Sequence, residues 1–161
     1  MILLTMGTYP LPFDRMVEAV DRLCGDGSIR EEVFAQIGCG NYLPRNIEYT
    51  RMMEKEAFDA CLASASALLG HAGMGTITLA LEHCKPLLVM PRMKRHHEHV
   101  NDHQVGTARK FEELGHILVA YGPEELPSKI ELLKTFVPKP RASQADLVAS
   151  RVKLFLEGMA R

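Results

Sequence analysis

Residues 66–83, SALLGHAGMGTITLALEH, pass from an apolar run through a glycine-containing turn into a segment with helical spacing. The first part, SALLG (66–70), has the length and apolar character of a buried strand. From residue 76 to residue 83 the apolar side chains recur at the spacing of an amphipathic helix. A strand that enters a helix through so tight a turn predicts a βα unit of an α/β fold.

The same alternation continues on both sides of this unit. The other predicted strands are ILLTM (2–6), VFAQI (33–37), PLLVM (86–90) and HILVA (116–120). Helical spacing also predicts helices at residues 14–24 and 55–65. This order predicts an α/β, Rossmann-like domain of three layers, in which a mostly parallel sheet lies between helices and ligands bind beyond the carboxyl ends of the strands.

Composition restricts the class of protein. With 161 residues, 47% of them hydrophobic, the chain fits a single domain, 1–161, with a sizeable core. The net charge of −1 gives no basic field that would attract nucleic acid. The four cysteines form no C-x-x-C pair, which favours buried, reduced thiols of a cytosolic protein over disulfides or a zinc site. The opening MILLTMGTYP lacks the basic segment of a signal peptide, and no apolar run has the length of a membrane span, so the sequence predicts a soluble protein.

Residues 139–161 predict a C-terminal helix that follows a proline-rich hinge, VPKPR (137–141). Ser143 and Asp146 form a start similar to a capping box, and Leu147, Val152 and Phe155 are among the apolar residues that follow at helical spacing. This helix could pack on the domain or contact a partner.

Two glycine-containing turns follow predicted strands, Gly7-Thr8 after the first strand and residues 71–76 after SALLG. Glycine lets the backbone approach a ligand closely, and the free N–H groups and dipole of a following helix favour an anion such as phosphate. A turn of this kind is often only a tight connection, and neither turn has the G-x-G-x-x-G or Walker pattern.

The segment PRMKRHHEHVNDHQ (91–104) is rich in polar side chains. His99 and His103 would share a helical face and could bind a metal, but an H-E-x-x-H site is excluded because Asn101 stands where the second histidine is needed. A solvated polar loop and a sugar-binding loop remain, the latter using Asp102, His103 and Gln104 as donors and acceptors for hydroxyl groups.

Three cations in this segment, Arg92, Lys94 and Arg95, could pair with an acidic sugar or with a partner's carboxylates. A role in keeping the loop solvated is favoured. The segment NYLPRNIEYTRMM (41–53) could cover the cleft or dock a partner, but a surface crossover is the favoured interpretation. The methionines are interpreted mostly as core filling, with a partner interface as the alternative for some of them.

The run LLGHAGMGTITLALEHCKPLLVMPRMKRHHEHVNDHQ (68–104) resembles the donor-binding half of glycosyltransferase family 28. The resemblance rests on three motifs in this order: His-Ala-Gly-x-Gly-[Ser/Thr], Lys-Pro-Leu-x-Val-x-Pro and Asp-His-Gln. The segments ILLTMGT, Pro12-Phe13-Asp14 and Gln36-Ile37-Gly38 also fit the family pattern. The resemblance extends to about Ala120. The chain is more closely similar to the family's stand-alone subunits, found in two-component exopolysaccharide enzymes and in the dolichol-pathway N-acetylglucosaminyltransferase.

The resemblance implies a GT-B enzyme split between two chains, of which this one is the C-terminal half. It would be the donor-binding catalytic subunit of an inverting enzyme that moves a hexose from a UDP-sugar to a lipid-linked acceptor, in surface polysaccharide or glycolipid synthesis. A membrane-anchored partner would bind the acceptor, supply the base and keep this cytoplasmic chain peripheral at the membrane. The UDP-sugar would be a substrate, and no cofactor or metal is implied, since the chain contains no D-x-D motif.

The resemblance also assigns site residues. The diphosphate ligands would be Gly7, Thr8, Gly73, Met74, Gly75 and Thr76, and the sugar ligands Asp102, His103 and Gln104. His71 is a candidate for an electrostatic catalytic role or for a structural hydrogen bond. Where the family commonly has a glutamate for ribose, this chain has Leu79, which leaves Thr78 or Glu82 as substitutes.

Two other functions stay open. The chain could be a non-catalytic enhancer subunit that kept the fold and lost donor binding, as the Leu79 departure suggests. It could also be a metal-dependent hydrolase that uses the histidines of residues 91–104.

Overall fold

The computed structural model describes residues 1–140 and 145–159. Its strands are β1 (Ile2–Thr5), β2 (Val33–Gln36), β3 (Glu48–Thr50), β4 (Ala67–His71), β5 (Leu87–Met90) and β6 (Leu118–Val119). They form one sheet in the order β3-β2-β1-β4-β5-β6, and every pair is parallel. The direction of strand succession reverses between β1 and β4, which creates a crevice at the carboxyl ends of these strands.

The helices connect the strands and cover both faces of the sheet. They are α1 (Asp14–Gly25), α2 (Lys55–Ser64), α3 (Met74–Glu82), α4 (His103–Glu113), α5 (Leu126–Leu133) and α6 (Ala145–Met159), with short 3-10 turns at Lys94–His96 and Pro123–Glu125. Helices α1 and α5 share a core with one face of the sheet. Helices α2, α3 and α4 share a core with the other. The predicted α/β, Rossmann-like fold is confirmed.

Successive side chains of β1 point to opposite faces of the sheet, and both faces are buried, so the strand sequence is a continuous apolar run. Leu3 and Leu4 are both fully buried, but they belong to the two different cores. Leu4 packs with the side of α1 that carries Val20, whereas Leu3 packs with the side of α3 that carries Ile77. A parallel sheet covered on both faces needs apolar residues at successive positions, and each buried leucine contributes roughly 1.5–3 kcal/mol.

The predicted strands, and the helices predicted at residues 14–24, 55–65 and 76–83, are confirmed to within about two residues at each end, but β3, α4 and α5 were not predicted. Strand β3 lies within the segment interpreted as a surface crossover, and that interpretation is wrong for Glu48–Thr50. Its side chains are largely exposed because β3 is an edge strand, so its sequence lacks the apolar run of the central strands. The buried Asp21 carboxylate holds the preceding loop on α1 by accepting from the backbone N–H groups of Arg45 and Asn46 and from the Tyr42 hydroxyl.

The predicted C-terminal helix is present as α6, while the start proposed at Ser143 lies outside the described residues. Five large apolar side chains of α6 are each more than half exposed: Val152, Leu154, Phe155, Leu156 and Met159. No helix among residues 1–140 and 145–159 has the length and apolar content to cross a bilayer. The cysteines are free, but Cys39 and Cys84 are exposed, so the prediction of buried thiols is wrong for these two.

Candidate functional site

A cavity of about 610 Å³ opens at the carboxyl ends of β1, β2 and β4. This is the crevice where the strand order reverses, the usual ligand site of open parallel sheets. Its walls come from the ends of these strands and from the first turns of α2 and α3. The lining residues are Thr5, Gly7, Thr8, Tyr9, Pro10, Gln36, Met52, Met53, Lys55, Phe58, His71, Gly75, Thr76 and Leu79.

The first turn of α3 forms one wall. Helix α3 begins at Met74, and its N-cap residue Gly73 provides no side-chain hydrogen bond. The first N–H groups of a helix have no partner within it, so those of residues 74–76 are available beside the cavity. A Cβ added at Gly75 would meet no atom within 4 Å, which leaves the backbone open to a ligand. The structure therefore places Gly75 and Thr76 where an anion can approach, while Met74 is not among the lining residues and its side chain is exposed.

The ring of His71, at the end of β4, packs against both glycine turns. A Cβ at Gly7 would lie 2.6 Å from His71 Nε2, and one at Gly73 would overlap the same ring at Cε1. Gly7 also has a φ of +67°, in the left-handed region that favours glycine. Both turns thus need glycine because an imidazole ring occupies the space where a side chain would begin.

The His71 ring has a partner at each nitrogen. Its Nε2 lies 3.2 Å from Thr76 Oγ1, and its Nδ1 lies 3.3 Å from Gln104 Nε2. Burial, together with the nearby Arg92 guanidinium, lowers the pKa of His71 from 6.5 to about 4. The imidazole is therefore neutral at pH 7.

The opposite wall of the cavity is apolar except for Lys55 at the start of α2. Met52 and Met53 follow β3, Phe58 lies on α2, and Leu79 faces them from α3. The backbone N–H of Met53 donates to Gln36 Oε1 at 3.1 Å, which fixes this segment to the end of β2. None of these four is among the predicted ligand residues, although the segment that carries Met52 and Met53 was considered as a cover for the cleft. The prediction of core filling is wrong for Met52, which is 51% exposed, whereas Met53 packs against the core that α2, α3 and α4 share. Recognition of β3 would have placed them at the carboxyl edge of the sheet.

Arg92, in the polar segment after β5, is only 1% exposed. Its Nη1 donates to the carbonyls of Leu11 and Pro12, its Nη2 donates to the carbonyl of Met6 at 2.9 Å, and its guanidinium lies over the Phe13 ring. The prediction that this cation keeps a loop solvated is wrong. Arg92 instead holds the loop between β1 and α1, which carries Gly7 and Thr8, against the end of β5.

The predicted sugar ligands have three different environments. Asp102 Oδ1 accepts from the backbone N–H of Lys94 at 2.7 Å. His103 is exposed and lies edge-on to His99, which in turn stacks on Tyr9 with ring centroids 4.6 Å apart. Gln104 is 3% exposed, and its Oε1 accepts from the Arg92 backbone N–H at 3.2 Å. Gln104 thus lies behind His71 rather than in the cavity lining.

The substitutes proposed for ribose recognition are not brought to the cavity. Thr78 is half-buried on α3, Glu82 is exposed at its end, and neither lines the cavity, whereas Leu79 does. In the part of the chain that the structure describes, no group of three or more His, Cys, Asp or Glu side chains is placed to hold a metal ion. Of the histidines in residues 91–104, His99 and His103 instead make the ring contacts described above.

The fold is shared with several solved glycosyltransferases. The glycotransferase of kitacinnamycin has a TM-score of 0.61 and 22% identity, with 83% of this chain and 34% of that chain covered. The NMR structure of ALG13 has a TM-score of 0.59 and 18% identity, with 94% of this chain and 93% of that chain covered. MurG from Acinetobacter baumannii has a TM-score of 0.54 and 18% identity, with 84% and 42% covered.

This chain therefore spans about a third of the kitacinnamycin glycotransferase and nearly all of ALG13. At such low identities these likenesses show the fold alone. Comparison with curated protein sequences gives no significant match. A comparison with protein families, however, matches residues 1–157 to the glycosyltransferase family 28 C-terminal domain. Because that match covers nearly the whole chain, the protein belongs to glycosyltransferase family 28 and corresponds to its C-terminal domain.

Proposed function

We propose that this chain is the donor-binding catalytic subunit of a two-component inverting glycosyltransferase, which moves a hexose from a UDP-sugar to a lipid-linked acceptor in the synthesis of a surface polysaccharide or glycolipid. One observation carries the proposal: the cavity at the β1–β4 reversal has an open helix N-terminus on one wall and apolar side chains on the other. A nucleoside diphosphate has a matching division into an anionic part and a planar, partly apolar base.

The diphosphate is placed against the first turn of α3. The exposed N–H groups there, and a helix dipole equivalent to about half a positive charge, favour an anion without a metal ion. The same positive end would stabilise the departing diphosphate as the glycosidic bond breaks. Thr8, on the loop after β1, lines the cavity and is exposed, so it is available to the same anion.

The base is placed between Met52, Met53 and Phe58 on one side and Leu79 on the other. Methionine adapts its shape to a flat ligand, and an aromatic ring can stack on it. Packing in the core accounts for Met53, Phe58 and Leu79 but not for Met52, which is 51% exposed at this wall.

The acceptor and the catalytic base are assigned to a partner subunit. Inverting transfer needs an acceptor hydroxyl held near the anomeric carbon and a base to take its proton. Among the described lining residues of the cavity none is Asp or Glu, and His71 already has a hydrogen-bond partner at each ring nitrogen. The exposed apolar side chains of α6 support a partner, which would be membrane-anchored and would keep this chain peripheral at the cytoplasmic face.

A non-catalytic enhancer subunit is the second candidate. It is favoured by the ribose region, where Leu79 lines the cavity while Thr78 and Glu82 do not. An enhancer would keep the fold and the partner surface but would not bind UDP.

Calorimetric titration of UDP into the purified chain with EDTA present separates these functions. Gly75→Asp places a carboxylate in open space at the start of α3, where it is favourable for the helix but repels a diphosphate. Gly106→Asp is the matched control, since Gly106 on α4 is also exposed and a Cβ there would meet nothing within 4 Å.

We expect saturable binding by the parent and by Gly106→Asp, and loss of binding by Gly75→Asp. No binding by the parent would favour the enhancer, and binding only after a divalent ion replaced EDTA would overturn the metal-free mechanism. Gly73→Asp is a poorer variant because its side chain would displace His71.

A further inference from the structure

A row of hydrogen bonds runs behind the cavity from the backbone after β5 to the first turn of α3. The Arg92 backbone N–H donates to Gln104 Oε1, Gln104 Nε2 lies 3.3 Å from His71 Nδ1, and His71 Nε2 lies 3.2 Å from Thr76 Oγ1. Arg92 and Gln104 are buried away from the cavity, whereas His71 and Thr76 line it. The row therefore connects a buried backbone group to a hydroxyl at the ligand site.

The backbone fixes the direction of the whole row. A backbone N–H can only donate, so the Gln104 atom that faces Arg92 is the side-chain carbonyl oxygen. The other end of the same amide is then Nε2, which donates to His71 Nδ1. A neutral imidazole that accepts at Nδ1 carries its proton on Nε2. That N–H is directed at Thr76 Oγ1, which accepts it.

The consequence concerns the Thr76 hydroxyl. Once its oxygen accepts from His71, its hydrogen is left for a third group. Thr76 is in the first turn of α3 and lines the cavity, so a ligand at that turn is the available acceptor. With the other tautomer, Thr76 would donate to His71 and would present only lone pairs to an anion.

We propose that Gln104 is a positioning residue that holds His71 as its neutral Nε2–H tautomer, and that this tautomer makes the Thr76 hydroxyl a hydrogen-bond donor to the anion bound at the start of α3. The inference rests on the proposed function in that the anion is the diphosphate of UDP. It gives Gln104 a role different from the hexose contact that the family resemblance implies, in keeping with its 3% exposure.

Imidazole NMR of the chain labelled with ¹⁵N-histidine tests the tautomer without any ligand. His71→Gln assigns the His71 signals by their disappearance. In the parent at pH 7 we expect a protonated Nε2 and an unprotonated Nδ1. Gln104→Glu puts an acceptor oxygen against Nδ1, so His71 should change to the Nδ1–H tautomer or to the imidazolium.

Two further variants remove confounding effects. Gln104→Met has no donor or acceptor at this position and should leave His71 as a mixture of tautomers, without adding a charge. Gly106→Asp adds a negative charge to the same helix, α4, with no neighbour within 4 Å of its Cβ, and should leave the His71 signals unchanged.

A double-mutant cycle tests the link to Thr76. Thr76→Val keeps the shape of the side chain and removes the hydroxyl, and in the parent it should weaken UDP binding about ten- to a hundredfold, the effect of one hydrogen bond to a charged group. In the Gln104→Met background, Thr76→Val should weaken UDP binding by a severalfold smaller factor, because the hydroxyl no longer donates consistently.

Each contrary result has a distinct meaning. An Nδ1–H or charged His71 in the parent at pH 7 would overturn the proposal, as would an unchanged tautomer in both Gln104 variants. If Thr76→Val reduced UDP affinity by the same factor in the parent and in Gln104→Met, the role given to Thr76 would be overturned. A parent that shows the Nε2–H tautomer but binds no UDP would contradict the proposed function, while the hydrogen-bond row would stand.

Discussion

The imidazole ring of His71 lies over the α-carbon of Gly7, so close that a Cβ at residue 7 would lie 2.6 Å from His71 Nε2. Gly7 lies in the loop that follows β1, and His71 ends the neighbouring strand β4, on either side of the point where the strand order reverses. A single side chain therefore fixes the distance between the two glycine turns that line the cavity. The shape of the candidate site depends on this contact.

Alanine at Gly7 should destabilise the fold, whereas alanine at Gly75 should not. Gly7→Ala forces a Cβ into the His71 ring at a positive φ, and we expect a loss of roughly 2 kcal/mol or more in the free energy of unfolding. Gly75→Ala lies in open space on a helix and should stabilise by up to about 1 kcal/mol. Urea denaturation measures both, and equal stabilities of the two variants would show that the His71–Gly7 contact is not tight.

The buried neutral His71 should make stability depend on pH. Its folded pKa is about 4, below the value of about 6.5 expected in the unfolded chain. Between these values the unfolded state binds the proton, so the stabilisation is complete above about pH 6.5 and is lost as the pH falls towards 4. The resulting decrease in the free energy of unfolding should be about 3 kcal/mol.

Denaturant titrations at pH 7 and pH 4.5, on the parent and on His71→Gln, measure this contribution. The variant has no group to protonate at residue 71, so its stability should fall less on acidification. Arg92 and His99, whose charges act on His71, are the same in both proteins. If the two proteins lost equal stability, the His71 pKa would not be depressed in the folded state.

Parts of the fold could be predicted from sequence because the information is local. The central strands are buried on both faces, so runs such as ILLTM and PLLVM are apolar at successive positions. Strand β3 could not be recognised in this way, since pairing with β2, rather than an apolar face, makes it a strand.

The candidate site was only partly predictable for a similar reason. The glycine turns have a local signal, but the contacts of Arg92 and Gln104 are with residues far away in sequence. The Arg92 guanidinium bonds to Met6, and Gln104 bonds to His71. An arginine in a polar segment usually remains in water, and only the tertiary structure shows that this one is buried.

Arg92→Lys should destabilise the protein although it keeps the charge. A lysine ammonium is a single point with three donors, whereas the guanidinium reaches the carbonyls of Met6 and Leu11 with different nitrogens. Burying a carbonyl without its donor costs about 1–3 kcal/mol, and we expect a loss of that size for each bond that lysine fails to make. Arg95→Lys, in the exposed part of the same segment, should change stability by less than about 0.5 kcal/mol.

The same two variants test whether the hydrogen bonds from Arg92 to the β1–α1 loop affect ligand binding. Arg92→Lys should also weaken UDP binding, because the loop that carries Gly7 and Thr8 is no longer held against the end of β5. Calorimetry on protein that is shown to be folded by circular dichroism gives the affinity. If the Arg92→Lys protein were as stable as the parent and bound UDP equally well, the Arg92 hydrogen bonds to this loop would contribute to neither stability nor binding.

The exposed side of α6 should be needed for transfer but not for donor binding. Val152, Phe155, Leu156 and Met159 have the i, i+3, i+4, i+7 spacing with which a helix enters an apolar groove, and all four are more than half exposed. Phe155→Asp should therefore leave the stability of the chain and its UDP affinity unchanged, since Phe155 is 66% exposed. It should remove the chain from the membrane fraction of its own cells and abolish sugar transfer there.

Leu132→Asp is the matched control, because Leu132 is also a large apolar residue that is more than half exposed, and it lies on a different helix, α5. It should retain both membrane recovery and transfer. Light scattering of the purified proteins distinguishes the partner from a second copy of this chain. If Phe155→Asp only converted a dimer into a monomer and membrane recovery were unchanged, α6 would be a self-association surface, and the proposed acceptor-binding partner would have to contact another part of the domain.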